Sequence, residues 1–301
     1  MTDDDAAAVP PVAPPATPPV APPEILRYAA FATRPDGGNP AGVVLDATGL
    51  GDARMLEIAA EVGYSETAFL TPGSVQGSYA VRYFSPLAEV PFCGHATVAS
   101  AVALAERTGP GRYVFGTAAG EVPVEVERDA DGALRATLTS VEPKTEELPQ
   151  ADTAEALALL GWSADDLDPA LPPRIAYAGA RHLVLAAGTR SRLARLDYDF
   201  EGLAAYMRAR DLTTLQLVWR EAAEVFHVRD PFPVGGVVED PATGAAAAAF
   251  GAYLRELGAV TAPVVLTLHQ GEDLGRPGLL RVELRAEDSR VRVSGTAVAI
   301  P

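Results

Sequence analysis

Two stretches of this sequence decide its fold, namely Phe84-Ser-Pro-Leu-Ala-Glu-Val-Pro-Phe-Cys-Gly-His-Ala-Thr97 and Phe232-Pro-Val-Gly-Gly-Val-Val-Glu-Asp-Pro-Ala-Thr-Gly244. The first leads into Thr97–Arg107 and the second into Ala245–Leu257, and both segments are rich in alanine and apolar on most sides. A helix that is apolar all round is buried. The sequence therefore predicts two buried helices, closed by glycines at 109 and 258.

The two stretches resemble each other at an offset of about 150 residues, half of the chain. Short apolar strands surround both, for example Tyr79–Phe84, Arg181–Ala186 and Val291–Val293, and Asp131-Gly132 is typical of a hairpin turn. An internal duplication predicts two similar lobes, each with strands around a central helix, and a cleft that receives both helix N-termini. Chance similarity between two strand–loop–helix units in an alanine-rich chain is the alternative.

Composition excludes several classes of function. The chain has 301 residues, 24 Lys and Arg against 40 Asp and Glu, and a formal charge of −16. We expect no nucleic-acid partner, because so acidic a chain cannot neutralise a phosphate backbone, and no anionic membrane partner for the same reason. A small anionic metabolite remains compatible, since a helix N-terminus binds an anion locally.

The chain has one cysteine, Cys93. The sequence contains no apolar run long enough for a membrane span, and its N-terminal segment lacks the basic and apolar regions of a secretory signal. One cysteine cannot form an internal disulfide or a multi-cysteine zinc site. A cytoplasmic protein without a metal is the expectation. Residues 1–23 hold eight of the 26 prolines and predict a disordered, proline-rich tail.

Three motifs carry residues suited to acid/base chemistry. Glu66 enters the apolar run Ala68-Phe69-Leu70, and a carboxylate in such surroundings suits a general acid/base; a solvated loop glutamate is the alternative. His95 follows Gly94 at a predicted helix start, where free N–H groups form an anion site; a packed histidine is the alternative. Asp240 precedes Gly244 at the second helix start, as an acid/base group or as a turn residue.

Other catalytic patterns are weak or missing. The glycine-rich phosphate and dinucleotide motifs do not occur, and the four histidines are widely spaced. Gly63-Tyr-Ser-Glu-Thr67 resembles a nucleophile elbow around Ser65. However, threonine replaces its last glycine, and the elbow needs a preceding strand where a helix over Ala53–Val62, ended by Gly63, is predicted.

Taken together, the motifs resemble the PhzF-like (phenazine biosynthesis) isomerase family. They occur in the family's order as Gly38-Asn-Pro-Ala41, Ser65-Glu-Thr-Ala-Phe69, Arg82-Tyr-Phe-Ser-Pro86, Glu89-Val-Pro-Phe-Cys-Gly-His-Ala-Thr97 and Glu239-Asp-Pro-Ala-Thr-Gly244. The resemblance implies a diaminopimelate epimerase-like α+β fold of two pseudo-symmetric lobes. Each lobe is then a curved, mostly antiparallel sheet or barrel around a central apolar helix, with residues 24–137 and 138–301 as the lobes and the last strand able to return to the first.

The resemblance also implies a cofactor-free isomerase that moves a proton on a small carboxylate-bearing metabolite, often as a homodimer. It places the catalytic acid/base on Glu66, with His95 and Asp240 as further catalytic groups. Its substrate-binding positions fall on Asn39, Ser65, Gly94, Gly244 and Ala245. A non-catalytic binding protein on the same scaffold is the alternative function.

Two departures from related patterns affect these expectations. The family commonly has serine where this chain has Ala245, so one hydroxyl contact to substrate is lost while the backbone N–H remains. Racemases of the diaminopimelate epimerase type use two thiols, and Cys93 has no partner. The sequence thus excludes a two-thiol racemase and indicates that Cys93 is a small buried residue rather than a nucleophile.

Overall fold

A computed structural model describes residues 22–301 of the chain. The predicted tail, residues 1–23, thus lies outside the described residues except for its last two positions. The helices are α1 (Asp52–Val62), α2 (Gly94–Thr108), α3 (Gln150–Leu159), α4 (Arg190–Ala194), α5 (Phe200–Ala209) and α6 (Gly244–Glu256). No helix in this part of the chain is both long enough and apolar enough to cross a bilayer.

Seventeen strands are found in the described residues, and the last is much longer than the strand predicted around Val291–Val293. They are β1 (Leu26–Ala30), β2 (Asn39–Val44), β3 (Thr67–Pro72), β4 (Ser78–Phe84), β5 (Glu89–Val90), β6 (Gly111–Thr117), β7 (Gly120–Arg128), β8 (Leu134–Thr139), β9 (Lys144–Glu147), β10 (Arg174–Tyr177), β11 (Arg181–Ala186), β12 (Thr214–Ala222), β13 (Val225–Phe232), β14 (Val237–Asp240), β15 (Val264–Gln270), β16 (Gly278–Arg285) and β17 (Asp288–Ala299).

The first lobe is a closed eight-stranded barrel. Its strands pair in the order β1, β2, β3, β4, β6, β7, β8 and β17, and β17 returns to β1. Only the β2–β3 and β4–β6 pairings are parallel. Closing the sheet removes its free edges, and the interior of an eight-stranded barrel is filled by side chains.

The second lobe repeats this order of pairings. Its strands follow as β9, β10, β11, β12, β13, β15, β16 and β17, with parallel pairs at β11–β12 and β13–β15. When β1 of the first lobe is aligned with β10 of the second, the second and fourth pairings are the parallel ones in both lobes, as an internal repeat requires. The predicted α+β class with two pseudo-symmetric, mostly antiparallel lobes is therefore confirmed.

Strand β17 belongs to both lobes. Residues Asp288–Ser294 pair with β16 of the second lobe, whereas Arg292–Thr296 pair with β8 and Ala297–Ala299 with β1 of the first lobe. Gly295 makes this crossing possible, because a Cβ there would lie 2.3 Å from the ring of Phe31. The lobes thus share a strand.

Helices α2 and α6 each occupy the interior of the curved sheet of one lobe. Every residue of α2 from His95 to Ala105 is buried, and so is every residue of α6 from Ala246 to Leu254. Alanine predominates because a helix enclosed by strands on all sides must be narrow. Gly251 shows how little space separates α6 from the surrounding strands, since a Cβ on it would lie 2.6 Å from Val282 Cγ1.

The predicted helices lie where the sequence placed them, with small differences at their ends. The first buried helix begins at Gly94 rather than Thr97, and the second begins at Gly244. Helix α1 ends at Gly63, which adopts the left-handed conformation at φ 72°. Helices α3 and α5 pack on the outer face of the second lobe around Leu160, Leu203 and Met207, and the sequence analysis did not predict them.

Candidate active site

The N-termini of α2 and α6 carry the glycines predicted to expose backbone. Cys93 and Thr243 occupy the N-cap positions, and Gly94 and Gly244 open the helices. A Cβ on Gly94 would meet only Phe92, at 3.9 Å, and a Cβ on Gly244 would meet Phe31 at 3.4 Å. The N–H groups of a first helical turn have no partner within the helix. Glycine therefore leaves space in which an anion can approach them.

Glu66 and His95 lie in contact at the first helix start. Glu66 Oε2 is 3.4 Å from His95 Nε2, and the two side chains are 17% and 7% exposed. Glu66 directly precedes β3, and its carbonyl accepts a hydrogen bond from Gly42 N at 3.1 Å. The end of the strand fixes the backbone of Glu66, while its carboxylate stays partly open to solvent. This combination suits a group that exchanges protons with a bound molecule.

Asn39 connects the first lobe to the second. Its Nδ2 lies 3.1 Å from His95 Nδ1 and donates to Asp240 Oδ1 at 2.8 Å and to the Ala242 carbonyl at 3.1 Å. These contacts place a residue of β2 against both helix starts. The predicted residues Asn39, Ser65, Glu66, Gly94, His95 and Asp240 are thus brought into one cluster, and Gly244 and Ala245 follow Thr243 at its second-lobe side.

The loop before Asn39 is held from the other lobe. Arg276 donates to the carbonyls of Gly37 and Gly38 at 2.7 and 2.9 Å. Gly38 has φ +51°, and a Cβ there would lie 2.1 Å from the Ala30 carbonyl oxygen. Only glycine fits this turn, and Arg276 fixes the path of the chain into Asn39.

Asp240 is a buried carboxyl group with several donors around it. Thr243 Oγ1 donates to its Oδ2 at 2.6 Å, in addition to the bond from Asn39. Burial raises the pKa of Asp240, and the donors from Thr243 and Asn39 and the nearby His95 oppose that shift. Asp240 therefore anchors Asn39 and lies too deep to be a freely solvated turn residue.

The surroundings of His95 fix the position of its proton. Nδ1 faces the donor Asn39 Nδ2 at 3.1 Å and the Cys93 thiol at 3.4 Å. Asn39 Nδ2 cannot accept a hydrogen bond, and with three acceptors around its two hydrogens it shares one of them with Nδ1; the neutral ring therefore carries its hydrogen on Nε2. Nε2 then points its hydrogen at Glu66.

The position of this hydrogen decides whether His95 could activate Ser65 as the nucleophile of a serine hydrolase, the enzyme class in which the nucleophile elbow occurs. Ser65 Oγ lies 3.4 Å from His95 Nε2, which is the contact a serine nucleophile needs with its base. A base must accept the serine proton, and here Nε2 carries a hydrogen of its own. No strand precedes Ser65 either, because α1 ends at Val62. The geometry therefore disfavours serine hydrolysis.

Cys93 is buried, as predicted, and it lies within the cluster. Its Sγ is 3.6 Å from Glu66 Oε2, and burial together with the negative charge of Glu66 raises the pKa of the thiol well above its ordinary value. The equivalent N-cap of the second lobe carries Thr243. The site therefore presents one protonated thiol and one hydroxyl where a two-thiol racemase needs two cysteines, one as thiolate base and the other as thiol acid.

Among residues 22–301, one group of side chains is spaced to hold a metal ion. Glu66, Cys93 and His95 each offer a donor atom, and these atoms lie within 4.8 Å of one another. Binding through His95 Nε2 requires the ring hydrogen on Nδ1, where Asn39 already presents a donor. The arrangement around His95 fits the metal-free ring better than a metal ligand.

Sequence reasoning missed four polar residues around Asp240, namely Gln216, Asp230, Thr243 and Gln270. Gln270 Nε2 donates to the Asp240 carbonyl at 2.9 Å and to Thr243 Oγ1 at 3.0 Å. Asp230 pairs with Asp240 across β13 and β14. Asp230 lies in the largely buried strand Val225–Phe232, beside Arg229, and a charged residue within a buried strand was the available signal.

Comparisons with known proteins identify a family model and several relatives that this chain resembles. The family model for phenazine biosynthesis-like proteins matches residues 28–301. The chain is 34% identical over 289 residues to the uncharacterized isomerase YddE of Escherichia coli K12, covering 92% of this chain and 96% of that protein. It is 32% identical over 274 residues to a trans-2,3-dihydro-3-hydroxyanthranilate isomerase of Pseudomonas chlororaphis, covering 89% and 94%.

A solved structure has the same fold. The phenazine biosynthesis protein of the PhzF family from Bacillus anthracis superposes with a TM-score of 0.82 at 26% identity. The match covers 92% of this chain and 96% of that one.

Proposed function

This chain belongs to the phenazine biosynthesis-like (PhzF) family and is an isomerase of that family, and we propose that it works without a cofactor by moving a proton between two carbons of a small carboxylate-bearing metabolite. One observation carries the proposal. The carboxylate of Glu66 and the imidazole of His95 lie 3.4 Å apart at the start of α2, and Asn39 joins them to Asp240 at the second helix start.

Glu66 is the base in this proposal. It is the more exposed member of the contact pair, and its Oε2 lies 3.4 Å from His95 Nε2. A substrate carbon next to a carbonyl, imine or diene loses its proton to Glu66, and the electron pair spreads over the conjugated system. The proton then returns to another carbon of the same molecule, either directly from Glu66 or from His95 together with Asp240. In the second case Glu66 passes the abstracted proton to His95 Nε2, 3.4 Å away, so the enzyme regains its starting state and no atom is gained or lost.

The two helix starts bind and stabilise the anion. The first-turn N–H groups after Cys93 and Thr243 hold the substrate carboxylate and the negative charge that develops as the carbon proton leaves. Ala245 contributes its backbone N–H but has no hydroxyl. One hydrogen bond of this kind is worth about 0.5–1.5 kcal/mol, so we expect altered substrate choice rather than loss of catalysis.

Solvent exchange tests this proposal directly. The protein and its Glu66→Gln variant are incubated in heavy water with unsaturated and α-amino carboxylic acids, beginning with trans-2,3-dihydro-3-hydroxyanthranilate, and followed by NMR. Deuterium uptake or isomerisation that is lost in Glu66→Gln supports the proposal. Equal exchange by both proteins removes Glu66 from its role. Tight binding without exchange across the panel would favour a non-catalytic binding protein on this scaffold over an isomerase.

Two further expectations accompany the proposal. The resemblance to the family predicts a homodimer, and the single, buried, protonated Cys93 is compatible with the reducing cytoplasm. Analytical ultracentrifugation and fractionation of the source cells test these expectations.

A further inference from the structure

The chain between β15 and β16 contacts the neighbours of both Asn39 and Asp240. A Cβ on Gly271 would lie 2.8 Å from the carbonyl oxygen of the residue that follows Asp240. The Pro277 carbonyl accepts a hydrogen bond, at 3.1 Å, from the N–H of the residue that precedes Asn39. One short segment of the second lobe therefore lies against both partners of the hydrogen bond that joins the lobes.

Gln270, the last residue of β15, holds the turn Asp240–Thr243 with its side-chain amide, which is 1% exposed. The Thr243 N–H donates to its Oε1 at 3.0 Å. Its Nε2 donates to the Asp240 carbonyl at 2.9 Å and to Thr243 Oγ1 at 3.0 Å. A backbone N–H only donates and a backbone carbonyl only accepts, so these contacts fix which end of the amide is nitrogen.

The fixed amide also fixes the hydroxyl hydrogen of Thr243. Because Gln270 Nε2 can only donate, Thr243 Oγ1 accepts from it and gives its single hydrogen to Asp240 Oδ2, at 2.6 Å. Asn39 Nδ2 donates to the other oxygen, Oδ1, at 2.8 Å. Both oxygens of Asp240 therefore accept, and Gln270 holds the carboxylate in the orientation that meets Asn39.

Arg276 acts on the Asn39 side of the same bond. Two nitrogens of its guanidinium donate to the carbonyls of Gly37 and Gly38, at 2.7 and 2.9 Å. Its backbone N–H donates to the Gly271 carbonyl at 2.9 Å and closes the turn. The two ends of the segment are therefore joined to each other as well as to the two lobes.

We propose that Gln270 and Arg276 are positioning residues for the reaction. Gln270 orients the Asp240 carboxylate, and Arg276 places Asn39. Together they set the hydrogen bond between the lobes, and the amide of that bond faces the ring of His95. Their effect on the rate rests on the proposed function, whereas their effect on Asn39 is measured without a substrate.

Two substitutions remove these contacts with little change in size. Gln270→Glu replaces Nε2 with a carboxylate oxygen, which accepts the Thr243 hydrogen and withdraws it from the neighbouring aspartate. Arg276→Met keeps an apolar stem and removes the donors to the first lobe, and Arg276→Lys restores a charged donor. Gln150→Glu and Arg281→Met, at exposed positions, are the matched controls.

Asparagine-selective NMR tests the positioning role, because Asn39 is the only asparagine in the chain. Protein labelled with ¹⁵N-asparagine thus gives the signals of this residue alone. In the wild type, the side-chain amide hydrogens should exchange slowly with water, since they are buried and hydrogen-bonded. Gln270→Glu and Arg276→Met should each shift these signals and speed their exchange by about tenfold, as one lost hydrogen bond allows.

The rescue variant and the controls make the result decisive. Arg276→Lys should return the Asn39 signals towards those of the wild type, and both controls should leave them unchanged. Wild-type signals in Gln270→Glu and Arg276→Met would overturn the proposal and leave both residues with a packing role. If Gln270→Glu does not fold, Arg276→Met decides, because that side chain is only partly buried.

Kinetics add a readout that rests on the proposed function. With any substrate that the wild type turns over, each single variant should lower kcat by about tenfold. The double variant should be little slower than the slower single variant, because both residues act on one bond. Effects that multiply would contradict a shared action. Failure of the exchange assay would remove this readout but leave the NMR result intact, so the two proposals fail separately.

Discussion

Asn39 Nδ2 donates to Asp240 Oδ1 at 2.8 Å, and this bond joins residues 201 positions apart in the sequence. Both side chains are buried, at 1% and 9% exposure. The same amide nitrogen faces His95 Nδ1 at 3.1 Å. One amide group thus couples the acid of the second lobe to the imidazole of the first, and the catalytic pair depends on the docking of the lobes.

The first prediction concerns the proposed base. Glu66→Gln keeps the size and the hydrogen-bonding capacity of the side chain but cannot accept a carbon proton. We expect deuterium exchange to fall by about a hundredfold or more, as is typical when a general base is removed. Thermal unfolding should hardly change, because Glu66 is partly exposed. Glu61→Gln, on the exposed face of α1, is the control and should keep full exchange activity.

The second prediction concerns the space above the first helix start. Gly94→Ala meets no neighbour closer than Phe92 at 3.9 Å, so the folded protein should tolerate it and gain up to about 1 kcal/mol from the better helix former. The new methyl group fills the approach to the backbone N–H groups. Ligand binding and exchange should therefore be lost in a protein of equal or greater stability.

Gly251→Ala is the matched control for this change. The same substitution in the middle of α6 places a methyl group 2.6 Å from Val282 Cγ1. We expect a loss of stability of about 1–3 kcal/mol in urea unfolding. Equal stability losses in the two variants would show that Gly94 is present for packing rather than for ligand access.

The third prediction concerns the buried ion pair behind the site. Arg229 Nε donates to Glu239 Oε2 at 2.9 Å, its second nitrogen contacts Oε1, and its third donates to the Ala194 carbonyl at 2.7 Å. Glu239→Ala leaves a buried guanidinium without its partner. We expect the free energy of unfolding to fall by about 3–5 kcal/mol.

A double-mutant cycle separates the pair from its parts. Arg229→Met with Glu239→Leu removes both charges while keeping apolar volume, so it should cost less than the sum of the single changes. Strict additivity of the two single changes would show that the pair does not act as a unit.

The fourth prediction concerns the pH dependence of stability. His182 is fully buried on β11, its Nδ1 bonds Thr214 Oγ1 at 2.8 Å, and burial lowers its pKa to about 3. In the unfolded chain the pKa returns to about 6.5, so below that pH the unfolded state binds a proton that the folded state excludes. The stabilising contribution is complete above pH 6.5 and is lost towards pH 3, at about 1.4 kcal/mol per pH unit.

Urea unfolding of the wild type and His182→Gln at several pH values checks this slope. Glutamine keeps a polar partner for Thr214 and does not titrate. The difference between the two curves isolates His182, because Asp230 and Asp240 contribute equally to both. A difference that stays constant between pH 6.5 and 4 would contradict the prediction.

Much of the fold follows from local pattern. Alanine-rich, uniformly apolar segments predicted the ends of α2 and α6 to within a few residues, and Gly63 predicted the end of α1. The sequence analysis did not predict α3 and α5, because these helices cover only one face of the second lobe and combine polar with apolar residues. β17 was predicted too short, since its second half pairs with the first lobe and no local pattern records that partner.

The sequence by itself determined the two central helices, the repeat around them and the motifs that bring Glu66, His95 and Asp240 into consideration, because helix burial and glycine placement are written in residue types at short spacing. Tertiary structure alone decided how Asn39 meets Asp240, which nitrogen of His95 carries the hydrogen, and that Thr243 and Gln270 form a network behind them. Those contacts join residues from both halves of the chain. Their geometry depends on two sheets that share β17, and a linear pattern does not encode it.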